Sequence, residues 1–238
     1  MAYKIGIMMI GSLYWERSDV RVNWRENRLA DEQYAVLAPI RYGRLSETRG
    51  NTYTMVFSKL CARKSYGLGS AKVVTCKNNA NNIEGIIEEA QLLWAAERNE
   101  NNTNNKFWAS WGSIGLLCNP RTTFPANYFS SWTNMTENSR HYGNVSHAKS
   151  ETPVISKDGF LKLPWPVIKN QGKHLALDIV LATATDPTLD INTRAYPKTK
   201  VIAEAWKNDN GSNDNYFLKN RKYGIHTFQD KTISNMMK

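Results

Sequence analysis

Cysteine is scarce in this sequence: three residues in 238, namely Cys61, Cys76 and Cys118, far apart and each in or beside an apolar run. A dispersed, odd set excludes a disulfide framework and reads as reduced core residues of a cytoplasmic protein. Histidine is also rare, and His141, His147, His174 and His226 lack metal-ligand spacing, so no metal is expected. Long hydrophobic runs are missing as well. Ile5 to Ile10 is too short for a signal-peptide core and follows a single basic residue, Lys4; nothing elsewhere approaches a membrane span. The expectation is a soluble chain without a membrane partner. The Asn-x-Ser/Thr triplets at Asn101, Asn134, Asn144 and Asn210 are then chance matches in an Asn-rich chain.

No repeat, heptad array or flexible tether is visible, and 41% hydrophobic content over 238 residues supports a substantial core. One α+β domain over residues 1–238 is the simplest account. The formal charge of +10 makes an anionic partner plausible, but Lys and Arg are scattered and the densest cluster is Lys219 to Lys222. A basic nucleic-acid binder is one alternative, because eight Trp and eleven Tyr offer stacking surfaces. Against it, most aromatics interleave with aliphatic residues, and no helix-turn-helix, zinc-finger or RNA-recognition signature accompanies the basic regions.

Ile5 to Ile10, stopped by Gly11-Ser12, reads as a buried strand entering a tight loop. Val36, Ala38, Ile40 and Tyr42 share one parity that continues to Arg44 and Ser46, and Thr52 to Ser58 is β-rich after the Arg49-Gly50-Asn51 turn. A hairpin from Tyr34 to Ser58 is therefore expected. Further strands are read at Ala71 to Lys77, Trp111 to Cys118 and Leu175 to Thr185, the last able to form either element but favoured as strand by Leu177, Ile179 and Leu181 with Val180. Helices are read at Phe124 to Arg140 and Lys200 to Lys207, the latter followed by an Asn/Asp/Gly/Ser turn; 144–157 reads as a long loop. The ending from Tyr216 gives no clear assignment.

The most telling residue is Glu97. From Asn82 the sequence forms an amphipathic helix with Ile83, Ile86, Ile87, Ala90, Leu93 and Trp94 on one face; at about 100° per residue Glu97 falls inside that arc, whereas Glu84 and Glu88 point away. Either the helix holds and a desolvated carboxylate able to exchange protons near neutral pH faces inward, or it frays into the Asn-rich stretch and Glu97 ends a last turn in water. Glu88 and Glu89 are weaker candidates for the same role.

Nucleotide motifs are incomplete. Gly6 and Gly11 have the spacing of the first half of a phosphate loop, but Ser12 follows where a Lys is needed, and no Gly-x-Gly-x-x-Gly occurs. No cofactor is expected. A Gly-Ser turn can nonetheless present successive amides to an anion.

Gly11-Ser12-Leu13 after strand one, a hairpin carrying Arg44, Ser46 and Arg49, and a strand-helix unit ending in Leu93-Trp94-Ala95-Ala96-Glu97 together resemble the gamma-glutamylcyclotransferase-like family, over roughly residues 5 to 120. The resemblance implies a small mixed β-barrel flanked by helices, with the later residues as a C-terminal extension. It implies that the amides of Gly11, Ser12 and Leu13 hold the γ-glutamyl end of a small substrate, that Glu97 is the acid/base, and that the reaction releases 5-oxoproline and an amine. Ile10 departs from the Tyr that usually opens the turn. That departure leaves a non-catalytic binding module for a small acidic ligand as a second alternative.

Arg44, Ser46 and Arg49 are candidate substrate ligands, since guanidinium pairs bidentately with carboxylate. Equally, Arg44 pairs with an internal acid and Arg49 faces water in its turn. Trp94, Trp108 and Trp111 read as core, and Tyr42 and Tyr53 as candidate pocket walls.

Overall fold

A computed structural model of the chain describes residues 2–63, 67–103, 105–208 and 215–238. The strands are β1 (Ile5–Met9), β2 (Leu29–Ala38), β3 (Ile40–Ser46), β4 (Thr52–Phe57), β5 (Gly69–Cys76), β6 (Trp108–Ala109), β7 (Gly112–Cys118), β8 (Val167–Ile168) and β9 (Ile179–Thr185). The helices are α1 (Asp19–Arg28), α2 (Ile83–Arg98), α3 (Ser130–Glu137), α4 (Arg140–Gly143), α5 (Thr199–Asn208), α6 (Tyr216–Lys222) and α7 (Asp230–Met237). The turn expected after Lys207 falls on 209–214, outside the described residues.

The architecture is α+β. Seven strands form a mixed sheet in the order β6-β7-β9-β1-β5-β2-β8, and β3 with β4 makes a separate two-stranded ribbon. Among the described residues no closed barrel is detected, where the sequence suggested a small one. The reason lies in the strand that was expected to run unbroken from Tyr34. Pro39 interrupts it: β2 pairs with β5 in the large sheet, and only β3, beyond the proline, turns back on β4. Proline cannot donate to a ladder and fixes its own φ, so it suits the point where a strand leaves one sheet for another.

Centrally, β1 runs parallel to β9, with Ile5 opposite Ile179 and Met8 opposite Ala182, and antiparallel to β5. The carboxyl ends of β1 and β9 therefore open on the same edge of the sheet. All five residues of β1 are buried, as its continuous apolar run requires. Most of the buried apolar side chains join in one cluster reaching from Tyr3 to Ile233, so the C-terminal helices pack on the same core as β1.

Helix α1 is absent from the sequence reading. Its only buried members are Arg21 and Trp24, too sparse a stripe to register as a hydrophobic period. Helix α2 follows the expected span closely. Asn82 caps it by accepting the Gly85 N–H at 3.1 Å, and Asn99 closes it in the left-handed conformation. Asn99 N–H then reaches Ala96 and Glu100 N–H reaches Ala95, the paired closure of a Schellman motif. The last turn is held shut instead of fraying. No helix among the described residues is long and apolar enough to cross a membrane.

Candidate functional site

A cavity of about 700 Å³ lies at the carboxyl ends of β1 and β9. It is lined by Gly11, Ser12, Leu13, Arg44, Ser46, Arg49 and Glu97, the residues that the resemblance and the hairpin pattern put forward. They arrive from different elements, the first three from the loop after β1, the next three from the β3–β4 ribbon, and Glu97 from the last turn of α2.

Beyond β1 the chain makes a single helical turn over Ser12–Tyr14, in which the Gly11 carbonyl accepts from Tyr14 N–H and the Ser12 carbonyl from Trp15 and Glu16 N–H. As the opening residues of that turn, Ser12 and Leu13 have amides with no acceptor inside it. Leu13 anchors the turn by burying its side chain. Both residues face the cavity.

Glu97 borders the cavity and is half-buried, and desolvation by the surrounding protein raises its ionisation above the ordinary carboxylate range. The charges of Arg21 and Arg44 and the Thr183 hydroxyl act the other way without cancelling it, while Glu16 adds to the rise. Thr183 Oγ1 is itself buried without a partner at hydrogen-bonding geometry, as is Thr185 Oγ1, and both residues line the cavity. Glu89, the competing carboxylate, is 3% exposed but is held by Arg28 at 2.6 Å and is not part of the cavity wall. Glu88 is largely exposed and shares the same Arg28.

Behind the turn lies a network of charges that no sequence pattern announces. Glu16 pairs with Arg21 at 2.6 Å and with Arg49 at 2.5 Å. Burial pushes the Glu16 carboxyl up, but the two guanidiniums outweigh it and hold the group below its usual range. Arg49 Nη2 also donates to Ser12 Oγ at 2.9 Å. Arg49 thus ties the β3–β4 ribbon to the turn, where the sequence left it open to water. Arg21 Nε donates to the Ala96 carbonyl at 3.0 Å and Nη2 to the Glu97 carbonyl at 2.9 Å. One buried cation fastens the turn, through Glu16, to the helix end that carries Glu97.

Arg44 is different. Its guanidinium makes no hydrogen bond or ion pair at contact distance with the described residues, and lies 4.8 Å from the centre of the Trp111 ring. Trp111 in turn stacks on Trp94, with centroids 4.7 Å apart. Burial weakens the hold of Arg44 on its proton, partly offset by the charges of Asp186 and Glu97. It reaches the cavity through a bulge between Tyr42 and Arg44, not through the uninterrupted alternation the sequence suggested. Ser46 Oγ is within 3.2 Å of Thr48 Oγ1. Tyr42 is fully buried, and neither it nor Tyr53 lines the cavity. Trp111, expected as core, does line it.

Compared with protein-family models, curated proteins and solved structures, the chain matches none.

Among the described residues no group of three or more His, Cys, Asp or Glu side chains is placed to hold a metal ion. The arrangement offers instead an amide-bearing turn, an unengaged guanidinium and a carboxylate with raised proton affinity. That set suits holding an anionic small molecule and moving a proton on it. Arg21 and Glu16 escaped the sequence reading because nothing in a polar loop and a sparse helix signals burial. Thr183 and Thr185 continue the parity of Leu181 along β9, the one signal that foretold their direction.

Proposed function

We propose that this protein is a gamma-glutamylcyclotransferase-like enzyme that converts a γ-glutamyl amine, or a related small amide, into 5-oxoproline and a free amine. The observation that carries the reading is the placement of Glu97, with its raised proton affinity, in the same cavity as the Gly11–Leu13 turn. The amides of Ser12 and Leu13 hold the α-carboxylate. This fixes the α-amine near its own γ-carbonyl and removes most of the orientational cost of closing the ring.

In its neutral form the amine attacks the γ-carbonyl carbon, and the new C–N bond forms as the carbonyl electron pair moves onto oxygen. Glu97 accepts the proton that the amine sheds. Collapse of the tetrahedral intermediate restores the carbonyl and breaks the bond to the leaving nitrogen, which takes that proton from Glu97. Such a shuttle is worth about 10²- to 10⁴-fold in rate. The chemistry is acyl and proton transfer and asks for no redox group or cofactor.

The test is incubation with a panel of γ-glutamyl amines, following 5-oxoproline by mass spectrometry with Glu97→Gln alongside. Product from the wild type that the variant fails to make is the expected outcome. Ligand binding without product defeats the enzymatic reading and leaves a binding module, the role to which Ile10 at the head of the turn points.

A further inference from the structure

Beyond β9, one described residue reaches the cavity wall: Tyr216, the first residue of α6. It is 4% exposed. Trp206 stacks on its ring with centroids 6.0 Å apart and planes within 7°, Trp15 lies tilted against it at 6.1 Å, and the Arg49 guanidinium is 5.3 Å from its centre. These neighbours fix the direction of the phenol. Its oxygen accepts the Met55 N–H at 3.3 Å. On the other side it meets Gly11 so closely that a Cβ there would stand 2.2 Å from Tyr216 Oη. The hydroxyl therefore abuts the very turn proposed to hold substrate, and no acceptor for its own proton is found among the described residues.

We infer that Tyr216 donates a hydrogen bond to the substrate carbonyl oxygen that becomes negatively charged as the lactam closes; this rests on the cyclotransferase reading. Burial raises the phenol's ionisation, with the Glu97 charge adding to the rise, so the group remains protonated near neutral pH despite the opposing Met55 N–H, Arg49 and Asn220. It is a donor, not a base. During attack the oxyanion accepts from Tyr216 O–H, whose proton stays on tyrosine, while Glu97 alone carries the proton from the attacking to the leaving nitrogen. The Met55 N–H polarises the same hydroxyl and strengthens its donation. A donor held rigidly where charge develops acts mainly in the transition state, so it governs kcat more than KM.

Tyr216→Phe keeps the ring stack and removes only the oxygen. On the best γ-glutamyl amine, kcat falls about 100-fold with KM within about threefold, and the acidic limb of the pH profile stays in place. Unchanged kcat, or a loss confined to KM, overturns the inference. A second variant does not depend on the loss of a buried hydrogen bond: difluorotyrosine in place of Tyr216 is a stronger acid, and an ionised phenol cannot donate. The alkaline limb of kcat then moves to lower pH; a limb that does not move overturns the inference. If the wild type forms no 5-oxoproline from any γ-glutamyl amine, the cyclotransferase reading fails and the inference with it. A wild type that turns over beside an equally active Tyr216→Phe defeats the inference alone.

Discussion

Arg21 Nη2 donates to the main-chain carbonyl of Glu97 at 2.9 Å, so a side chain of α1 closes the helix end that presents the proposed base. The same guanidinium pairs with Glu16 below the Gly11 turn. Distance between turn and carboxylate is thereby set by one buried cation instead of by the loops that connect them.

Replacing that cation separates its two effects. In Arg21→Met the Glu97 carbonyl loses its donor and Glu16 keeps only Arg49, a cost of about 2 kcal/mol. For a chain of this size that lowers Tm by about 4 to 8 °C. Arg21 also draws the Glu97 ionisation down. Without it Glu97 holds its proton to higher pH, and the acidic limb of kcat/KM moves upward. Melting curves and a pH–rate profile on the same variant check both; a limb that stays put separates Arg21 from the electrostatics of the site.

Glu97→Gln is expected to lower 5-oxoproline formation by about 10²- to 10⁴-fold and to stabilise the fold. Because the folded-state ionisation of Glu97 is raised, the stabilising effect of its protonated form is fully present at acidic pH and is lost as pH rises through the raised value. The amide is neutral throughout. The Tm of the variant should thus match the wild type at acidic pH and exceed it at neutral pH and above. Wild-type activity should rise with pH through the same transition, since the base must first shed its proton.

Glu97 was legible in the sequence because α2 is a long helix with an uninterrupted apolar face, and one polar residue on that face stands out. The reading ran short where burial comes from tertiary contact alone. Arg21 lies on a helix whose outward residues are as polar as its inward ones. Tyr216 follows a polar stretch far along the chain from the turn it touches, and its Asn215 cap announces only a helix start. Glu89 shows the opposite failure: it falls just outside the apolar arc and was ranked with its exposed neighbour Glu88, and Arg28, on the unrecognised α1, is what lets it be buried. The barrel expectation failed at Pro39, a residue visible in the sequence whose effect depends on which strands lie nearby.

Gly11 tests how closely the turn and the C-terminal half are fitted. Its backbone is extended, so alanine brings no φ penalty, but the new methyl would meet Tyr216 Oη at 2.2 Å and the adjoining ring carbon at 3.1 Å. Trp206 and Trp15 pack against the phenol ring and resist its displacement. Gly11→Ala is expected to destabilise by about 1 to 3 kcal/mol through overpacking. Adding Tyr216→Phe removes the nearer clash, so the double variant should be more stable than the sum of the two single effects, by at least about 0.5 kcal/mol in a denaturation cycle. Strict additivity would mean that the turn moves away from the ring at little cost.

Arg44 tests whether the cavity was shaped for a second negative charge. Its guanidinium is poorly solvated, lies over Trp111 and has only distant carboxylates to answer it. Leucine at this position removes the desolvation of a charge, so Arg44→Leu is expected to leave stability unchanged or slightly higher. Catalysis should suffer in two distinct ways. Arg44 lowers the Glu97 ionisation, so its loss shifts the acidic limb of kcat/KM to higher pH. A substrate whose leaving amine carries a carboxylate should lose about tenfold or more in KM, the scale of one charge-assisted hydrogen bond, whereas one with an uncharged leaving amine should lose little. Equal losses for both substrates would place Arg44 on the γ-glutamyl end, beside Ser12 and Leu13, and leave the leaving group without a charged partner.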